Sequence, residues 1–280
     1  MSRALQASAH LFTCPVCQAP FEALDKRFVC PKGHSFDMAK QGYINLLLHS
    51  KKDKHYDKAS FERRHHILEA GFYNHILEAI QTLLADNPAQ TTLLDVACGE
   101  GYYSRQLAHN PRHSILAFDL SKESIQLAAK KDSLQRIAWF VGDLAKLPLA
   151  SQSVDVILDI YSPANYQEFK RVLKPGGKLI KVVTASQHLA ELRQAAQAQL
   201  ANKTYSNQAI RDHFSQAFPQ FKHIHTSQTY PANPEELLTF AQMTPLFFHV
   251  NLEQLEWQSL HEITIAADIF VASIPKTTTS

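Results

Sequence analysis

The sequence predicts an α/β fold: a mostly parallel, doubly wound sheet with an antiparallel edge, preceded by a small metal-binding module. Three observations carry this expectation. From about residue 92 onward, short apolar runs alternate with helical patterns, which is how a parallel sheet with crossover helices is written in sequence. The first of these runs, LLDVACGEGYY (Leu93–Tyr103), closes on Asp95 and a turn with two glycines, Gly99 and Gly101, before a helix-favouring stretch. Three of the four cysteines, Cys14, Cys17 and Cys30, crowd into the N-terminal segment.

With 280 residues, 45% apolar and 19% charged, the chain can hold a substantial core and two domains, one of them small. A net charge of +2 is too mild to demonstrate a nucleic-acid partner, although 15 histidines leave that option open. MSRALQASAH at the start lacks the apolar segment of a signal peptide, and no run approaches a membrane span, so the expectation is a cytoplasmic protein without membrane contact.

Residues 1–45 read as a zinc-binding module. In FTCPVCQAPFEALDKRFVCPKGHSF (Phe12–Phe36), Cys14 and Cys17 form one short-spaced pair, and Cys30 and His34 form the second. Zinc takes four N/S ligands in a tetrahedron, and two such pairs on two turns supply them. All four positions are then filled by protein, so the site is structural. Between the pairs, FEALDKRFVC is expected to form a small hairpin. Residues 46–90 read as a basic linker and a helix. His49–His66 is rich in Lys, Arg and His, and reads equally as a solvated connector or as an RNA contact. Phe61–Ala85 carries an apolar stripe (Ile67, Leu68, Phe72, Ile76, Leu77, Ile80, Leu83, Leu84) broken at Gly71.

Residues 91–280 read as the catalytic domain. Strands are expected near 92–97, 114–119, 137–142, 154–160 and 178–184, with helices near 102–109, 121–131, 164–173 and 187–200. SILAFDL ends the second strand on Asp119, a carboxylate suited to the two hydroxyls of a ribose. Asp143, followed by Leu144, ends the third, where an adenine amino group could be met. VLKPGG (Val172–Gly177) reads as a helix end capped by glycine, then a strand. In the tail, Ser215–Tyr230 and Ile263–Ile274 read as strands joined through a helix around Pro234–Met243, an antiparallel edge on the parallel sheet.

The glycine turn names its cofactor by its charge. A nicotinamide site needs G-x-G-x-x-G and room for a pyrophosphate, whereas here Ser104 stands in the third glycine's place and Glu100 lies between the first two. An acidic loop suits the sulfonium and ammonium of S-adenosylmethionine, so the fold expected is that of a class I (Rossmann-like) methyltransferase dependent on S-adenosylmethionine.

Beyond the loop, the zinc set, FDMAKQGYINLL (Phe36–Leu47), EAGFY (Glu69–Tyr73), LDVACGEGYYS, IYSP (Ile160–Pro163), VLKPGG, QHL (Gln187–Leu189) and QMTPLFF (Gln242–Phe248) run in a set order. In this the chain resembles the RlmA-type 23S rRNA (guanine-N1)-methyltransferases, whose relatives include tylosin-resistance methyltransferases. The resemblance covers nearly the whole chain, and the zinc module joined to FDMAKQGYINLL makes it specific. It implies that Cys14, Cys17, Cys30 and His34 hold zinc, and that Tyr73, Gly99, Glu100 and His188 touch the cofactor, with Asp119 on the ribose by the wider methyltransferase pattern; from the strand ends and the turn, Asp95, Gly101, Asp143 and Leu144 complete the expected site. It also implies a 23S rRNA hairpin as substrate and a homodimer. On spacing alone, Tyr73 reads as a packed aromatic and His188 as a polar helix-start residue. One departure is Ala97, where the family commonly has glycine.

Methylation at guanine N1 needs help with that atom's proton. Asp159, Tyr161 and His188 are the candidates for a general base, and the sequence does not rank them. Tyr161 and Tyr166 each read as a base-stacking or a packed aromatic. Lys26, Arg27, Lys32 and Lys40 of the zinc module are expected to meet phosphates. The alternatives are a small-molecule methyltransferase, which needs no zinc module, and a non-catalytic RNA-binding relative.

Overall fold

The computed structural model describes residues 2–48, 58–85, 90–200 and 204–276. Residues 49–57 of the basic stretch lie outside these. Helix α1 (Arg3–Ser8) opens the chain, with the Ser2 hydroxyl accepting from the Leu5 N–H as its cap. Strands β1 (Glu22–Leu24), β2 (Arg27–Val29) and β3 (Ser35–Asp37) form an antiparallel ribbon, and β1–β2 is the expected hairpin. Then come β4 (Tyr43–Asn45), α2 (Lys58–Glu69), α3 (Asn74–Ala85), β5 (Thr91–Val96), α4 (Tyr102–Leu107), β6 (His113–Asp119), α5 (Lys122–Lys131) and β7 (Ile137–Val141). The chain continues through β8 (Val154–Ile160), α6 (Tyr166–Val172), β9 (Leu173–Thr184), α7 (Ala190–Ala195), α8 (Gln208–Ala217), β10 (Phe221–Pro231), α9 (Pro234–Met243) and β11 (Glu262–Ser273). None of the described helices is long and apolar enough to cross a membrane.

These elements group into two compact units. One is built from the described residues of Met1–Tyr56, Ala85–Lys181 and Val271–Ser280, the other from those of Asp57–Leu84 and Val182–Phe270. In the first unit the strand order is β9-β8-β5-β6-β7-β4. β5 lies in parallel between β6 and β8, with Val96 opposite both Phe118 and Asp159, and Asp119 stands opposite Val141. The carboxyl ends of β8, β5, β6 and β7 therefore finish side by side. Apolar residues on both faces, such as Leu93, Leu94, Leu116, Ile157 and Leu158, are fully buried, as a parallel sheet covered on two sides requires.

The ribbon is fastened to this sheet. β4 adds a parallel edge to β7, pairing Tyr43 with Trp139 and Asn45 with Val141. Phe12 is buried with its ring edge-on to Phe140 at 5.1 Å and 5.4 Å from Phe28 of β2. Phe140 stacks in turn on Phe118 at 5.1 Å, so an aromatic chain runs from ribbon to sheet centre.

The second unit holds β10, most of β11 and the last residues of β9, in the order β10-β11-β9, the antiparallel edge foreseen from the tail. Phe214 of α8 sits 5.4 Å from Phe270 of β11, and Phe72, in the α2–α3 turn at Gly71, meets Phe240 of α9 edge-on at 5.1 Å.

Three expectations are corrected. The Pro-Gly-Gly of VLKPGG is not a helix cap: α6 ends when Leu173 turns extended (ψ 135), and Lys174, which precedes a proline, continues as strand. Gly177 is needed because a Cβ there would lie 2.8 Å from the Lys174 carbonyl oxygen and 3.0 Å from that of Asp155. The helix expected over 187–200 shrinks to Ala190–Ala195, entered through Leu189 at φ +54. The strand expected from Ser215 begins only at Phe221, since residues 208–217 form α8, whose buried Phe214 anchors it.

Candidate metal centre and active site

The ribbon's two turns present the four ligands expected of them. In the first, the Gln18 N–H donates to the Cys14 carbonyl at 2.7 Å; in the second, the Gly33 N–H donates to the Cys30 carbonyl at 2.9 Å. The ligand atoms of Cys14, Cys17, Cys30 and His34 all lie within 4.8 Å of one another. Cys17 Sγ is 3.6 Å from Cys30 Sγ, and His34 Nδ1 is 3.6 Å from Cys14 Sγ and 3.4 Å from Cys30 Sγ. A tetrahedron with zinc–ligand distances of about 2.0–2.3 Å has edges of roughly 3.5–3.8 Å, so the set has the dimensions of a closed zinc site. It is too wide for a disulfide. Burial works against ionisation of Cys30, but backbone donors at His34 and Lys32 bring its thiol down to about 6, leaving a thiolate at neutral pH. Lys26, Arg27, Lys32 and Lys40 are all exposed on the ribbon. Lys26 and Lys40 line a cleft of about 380 Å³ that also takes in Gln41, Gln135 and Trp139.

In the first unit the order of strands reverses between β5 and β8, because β6 and β7 extend to one side of β5 and β8 to the other. The crevice at such a point, beyond the carboxyl ends, is where open α/β sheets take ligands. The glycine turn stands there. Ala97 leaves β5 at φ +49, Gly99 follows at +58 and Gly101 at +77. The Gly99 N–H donates to Asp119 Oδ2 at 3.0 Å and the Ser121 N–H to Asp119 Oδ1 at 2.8 Å, so the carboxylate is clamped at the end of β6, facing the turn. Asp143 holds the next strand end by accepting from the Ala145 N–H at 2.8 Å, and it and Leu144 are half-buried. Gly101 has an internal reason: a Cβ there would come within 2.3 Å of Trp139 Cη2.

Asp95 lies below the turn, 3% exposed, accepting the Ser104 hydroxyl at 2.5 Å. Burial pushes its pKa up to about 7, the Ser104 donor opposing and the carboxylates of Glu100, Asp119 and Asp159 adding to the rise. Glu100 is also buried, at 1% exposure.

The three base candidates differ sharply. Asp159 is fully buried, with Oδ2 2.7 Å from Lys181 Nζ and Oδ1 accepting from the Ser162 hydroxyl at 2.5 Å. Both carboxylate oxygens are thus engaged and closed to solvent in this structure. Tyr161 is 37% exposed at the end of β8 and takes φ +54, a left-handed conformation that costs a non-glycine residue about 1–2 kcal/mol. Tyr166 is the packed alternative: it is buried at the start of α6, 6.1 Å from Phe169, and burial pushes its hydroxyl up.

Tyr73 and His188 belong to the second unit, where their rings lie 6.2 Å apart. His188 Nδ1 accepts from the Ala266 N–H at 3.3 Å, which puts the proton of the neutral ring on Nε2. Burial, aided by Arg193 and His75, lowers its pKa to about 4. His188 thus offers a hydrogen-bond donor rather than a base. Tyr73 is buried, with its hydroxyl pKa raised by burial. Lys181 and Ser162, which embrace Asp159, went unnoticed in the sequence; a lone lysine in the β-strand LIKVV is the signal that was there.

Two family models match the chain: one described as the RlmA N-terminal zinc ribbon over residues 12–54, and one described as a methyltransferase domain over residues 93–177. A protein of Bacillus subtilis (strain 168) with the provisional name 23S rRNA (guanine-N1)-methyltransferase is 32% identical over 93% of this chain and 96% of its own length. The 23S rRNA (guanine(748)-N1)-methyltransferase of Streptomyces fradiae is 27% identical over 92% of this chain and 95% of its own length. Among solved structures, a provisionally named S-adenosylmethionine-dependent methyltransferase of Methanococcus maripaludis superposes with a TM-score of 0.51 at 17% identity, over 83% of this chain and all of that one, and shares the fold.

Proposed function

The chain belongs to the 23S rRNA (guanine-N1)-methyltransferase family, and from that premise we propose that it transfers a methyl group from S-adenosylmethionine to N1 of one guanine in a 23S rRNA hairpin. What carries this reading is the match over both modules at once, ribbon and methyltransferase sheet, with the ligand set and the glycine turn each in working geometry.

The strand ends suit the proposed cofactor. Gly99, Gly101 and Glu100 form the turn that would take its amino-acid part, with Asp95 beneath as support. Asp119, Asp143 and Leu144 would take the ribose and adenine. For Tyr73 and His188 a cofactor role rests on the family resemblance alone. Bound there, S-adenosylmethionine supplies an electrophilic methyl group. The protein's part is to align guanine N1 with it and to keep the base still, which provides much of the acceleration in a direct displacement. Tyr161, aromatic and partly exposed at the switch point, would stack on an extruded base. With Asp159 sealed and His188 a donor, the N1 proton would leave to solvent, or to Tyr161 in its phenolate form.

The ribbon, residues 1–45, would hold structural zinc and meet the hairpin's phosphates through Lys26, Arg27, Lys32 and Lys40. Residues 46–90 would link it to the methyltransferase domain, 91–280. Action on rRNA in the cytoplasm as a homodimer completes the proposal. Mass mapping of 23S rRNA from cells with and without the protein tests it. Loss of one methyl from one guanine N1 is expected, and identical maps would overturn it.

A further inference from the structure

A buried charged knot beside the switch point has no part in the chemistry described so far. Lys181, on β9, and Asp159, on β8, are 3% and 0% exposed, and their side chains meet at 2.7 Å. Lys181 Nζ also donates to the Ser162 carbonyl at 3.0 Å. The Ser162 hydroxyl donates to Asp159 Oδ1 at 2.5 Å and lies 3.4 Å from the Val96 carbonyl, the last residue of β5 before the glycine turn. Tyr161 thus sits between two residues that are tied to each other and to the root of the turn. Its positive φ of +54 persists under that constraint.

An ion pair this deep is a poor way to gain stability, since its desolvation cost offsets most of its attraction and an apolar pair of the same volume serves as well. What it does offer is direction. Lysine reaches both the carboxylate and the Ser162 carbonyl, so the geometry of the loop after β8 is set by three bonds converging on two residues.

We propose that Lys181 is a positioning residue: through Asp159 and Ser162 it holds the IYSP loop so that Tyr161 stands at the mouth of the crevice, against the target base. This rests on the proposed guanine methyltransferase reading. The wild-type protein is therefore assayed first on 23S rRNA; no transfer to guanine N1 by wild type defeats that reading, independently of the knot.

The test compares wild type, S162A, Y161A and the double variant K181M/D159L, which replaces the buried pair by apolar side chains. Each is assayed for S-adenosylmethionine affinity by calorimetry, for kcat and KM on a 23S rRNA hairpin transcript, and for thermal midpoint. K181M/D159L is expected to bind S-adenosylmethionine within twofold of wild type and to lose at least tenfold in kcat. Adding Y161A to it should cost less than twofold more, because a misplaced tyrosine has little left to contribute. S162A is expected to lose threefold or more in kcat, and it carries the test alone if the double variant fails to fold. Wild-type kcat in K181M/D159L or in S162A would overturn the proposal, as would full additivity of Y161A with the double variant. A loss of cofactor affinity in step with kcat would also overturn it, by assigning the knot a general structural role.

Discussion

Substituting Gly101 with alanine separates two reasons for a glycine in the turn after β5. The added Cβ would stand 2.3 Å from Trp139 Cη2, 2.8 Å from Cζ3 and 3.1 Å from the Ala128 Cβ. Trp139 cannot swing aside cheaply. It is 1% exposed, and its Nε1 donates to Asp132 Oδ2 at 3.1 Å, a carboxylate whose Oδ1 also accepts the Gln135 N–H at 2.9 Å. Placing an L-residue at φ +77 costs about 1–2 kcal/mol, and overpacking a rigid core adds about 1–3 kcal/mol. Gly101→Ala should therefore lose about 2–5 kcal/mol, which for a chain of this size is a fall in Tm of very roughly 5–15 °C. Urea unfolding of G101A, Trp139→Phe and the double variant measures it. If Trp139 is the obstacle, the double variant should recover about 1–3 kcal/mol relative to the sum of the singles, the steric part of the cost. A coupling under about 0.5 kcal/mol would refute the reasoning and return Gly101 to the cofactor alone.

Three further outcomes follow from the same geometry. Ala97→Gly, at φ +49, should raise stability by up to about 1 kcal/mol in urea unfolding, because relief of the left-handed strain outweighs the extra chain entropy. Asp95 titrates near 7 when folded against 3.8 unfolded, so the folded chain binds the extra proton between those values and stability is lost as pH rises from about 4 to 7. Asp95→Asn should remove that loss, on the order of 4 kcal/mol at most, of which roughly a third is already present at pH 5, so the gap between unfolding curves of variant and wild type should widen by about 2–3 kcal/mol from pH 5 to pH 8. Cys14→Ala should abolish zinc retention, read by metal analysis, and rRNA methylation, while calorimetry still detects S-adenosylmethionine binding. Full methylation by zinc-free protein would refute the ribbon's role.

Local signals wrote most of the fold. The alternation of apolar runs and helical stripes placed β5 to β8 and their helices, and the paired Cys and His turns foretold the ligand cluster, because in both cases spacing along the chain is also spacing in space. The misses arose where distant residues decide. Pro175-Gly176-Gly177 carries the punctuation of a helix cap, yet β9 runs straight through it, because the Asp155 carbonyl of the neighbouring strand leaves no room for a side chain at Gly177. The helix 208–217 did show Ile210, Phe214 and Phe218 at helical spacing, but the strand pattern that follows masked it. At the site, Asp159 stands among three unranked base candidates because it ends a strand, as catalytic carboxylates do; its partner Lys181 lies 22 residues away, and no spacing rule links them.

The edge strand Tyr43–Asn45 has a consequence for how a substrate is measured. β4 is hydrogen-bonded in register to β7, and Phe12 packs edge-on against Phe140, so the ribbon is tied to this sheet at two places. The exposed lysines of the ribbon and the mouth of the β5–β8 crevice are thereby held at a set span, like the two jaws of a caliper. On the proposed reading, a hairpin gripped by its phosphates at one jaw would offer the other only the nucleotide that lies at that distance along its stem and loop. Selection among guanines then becomes a matter of length, and inserting or deleting one base pair between grip and target should abolish methylation even where the target nucleotide itself is unchanged.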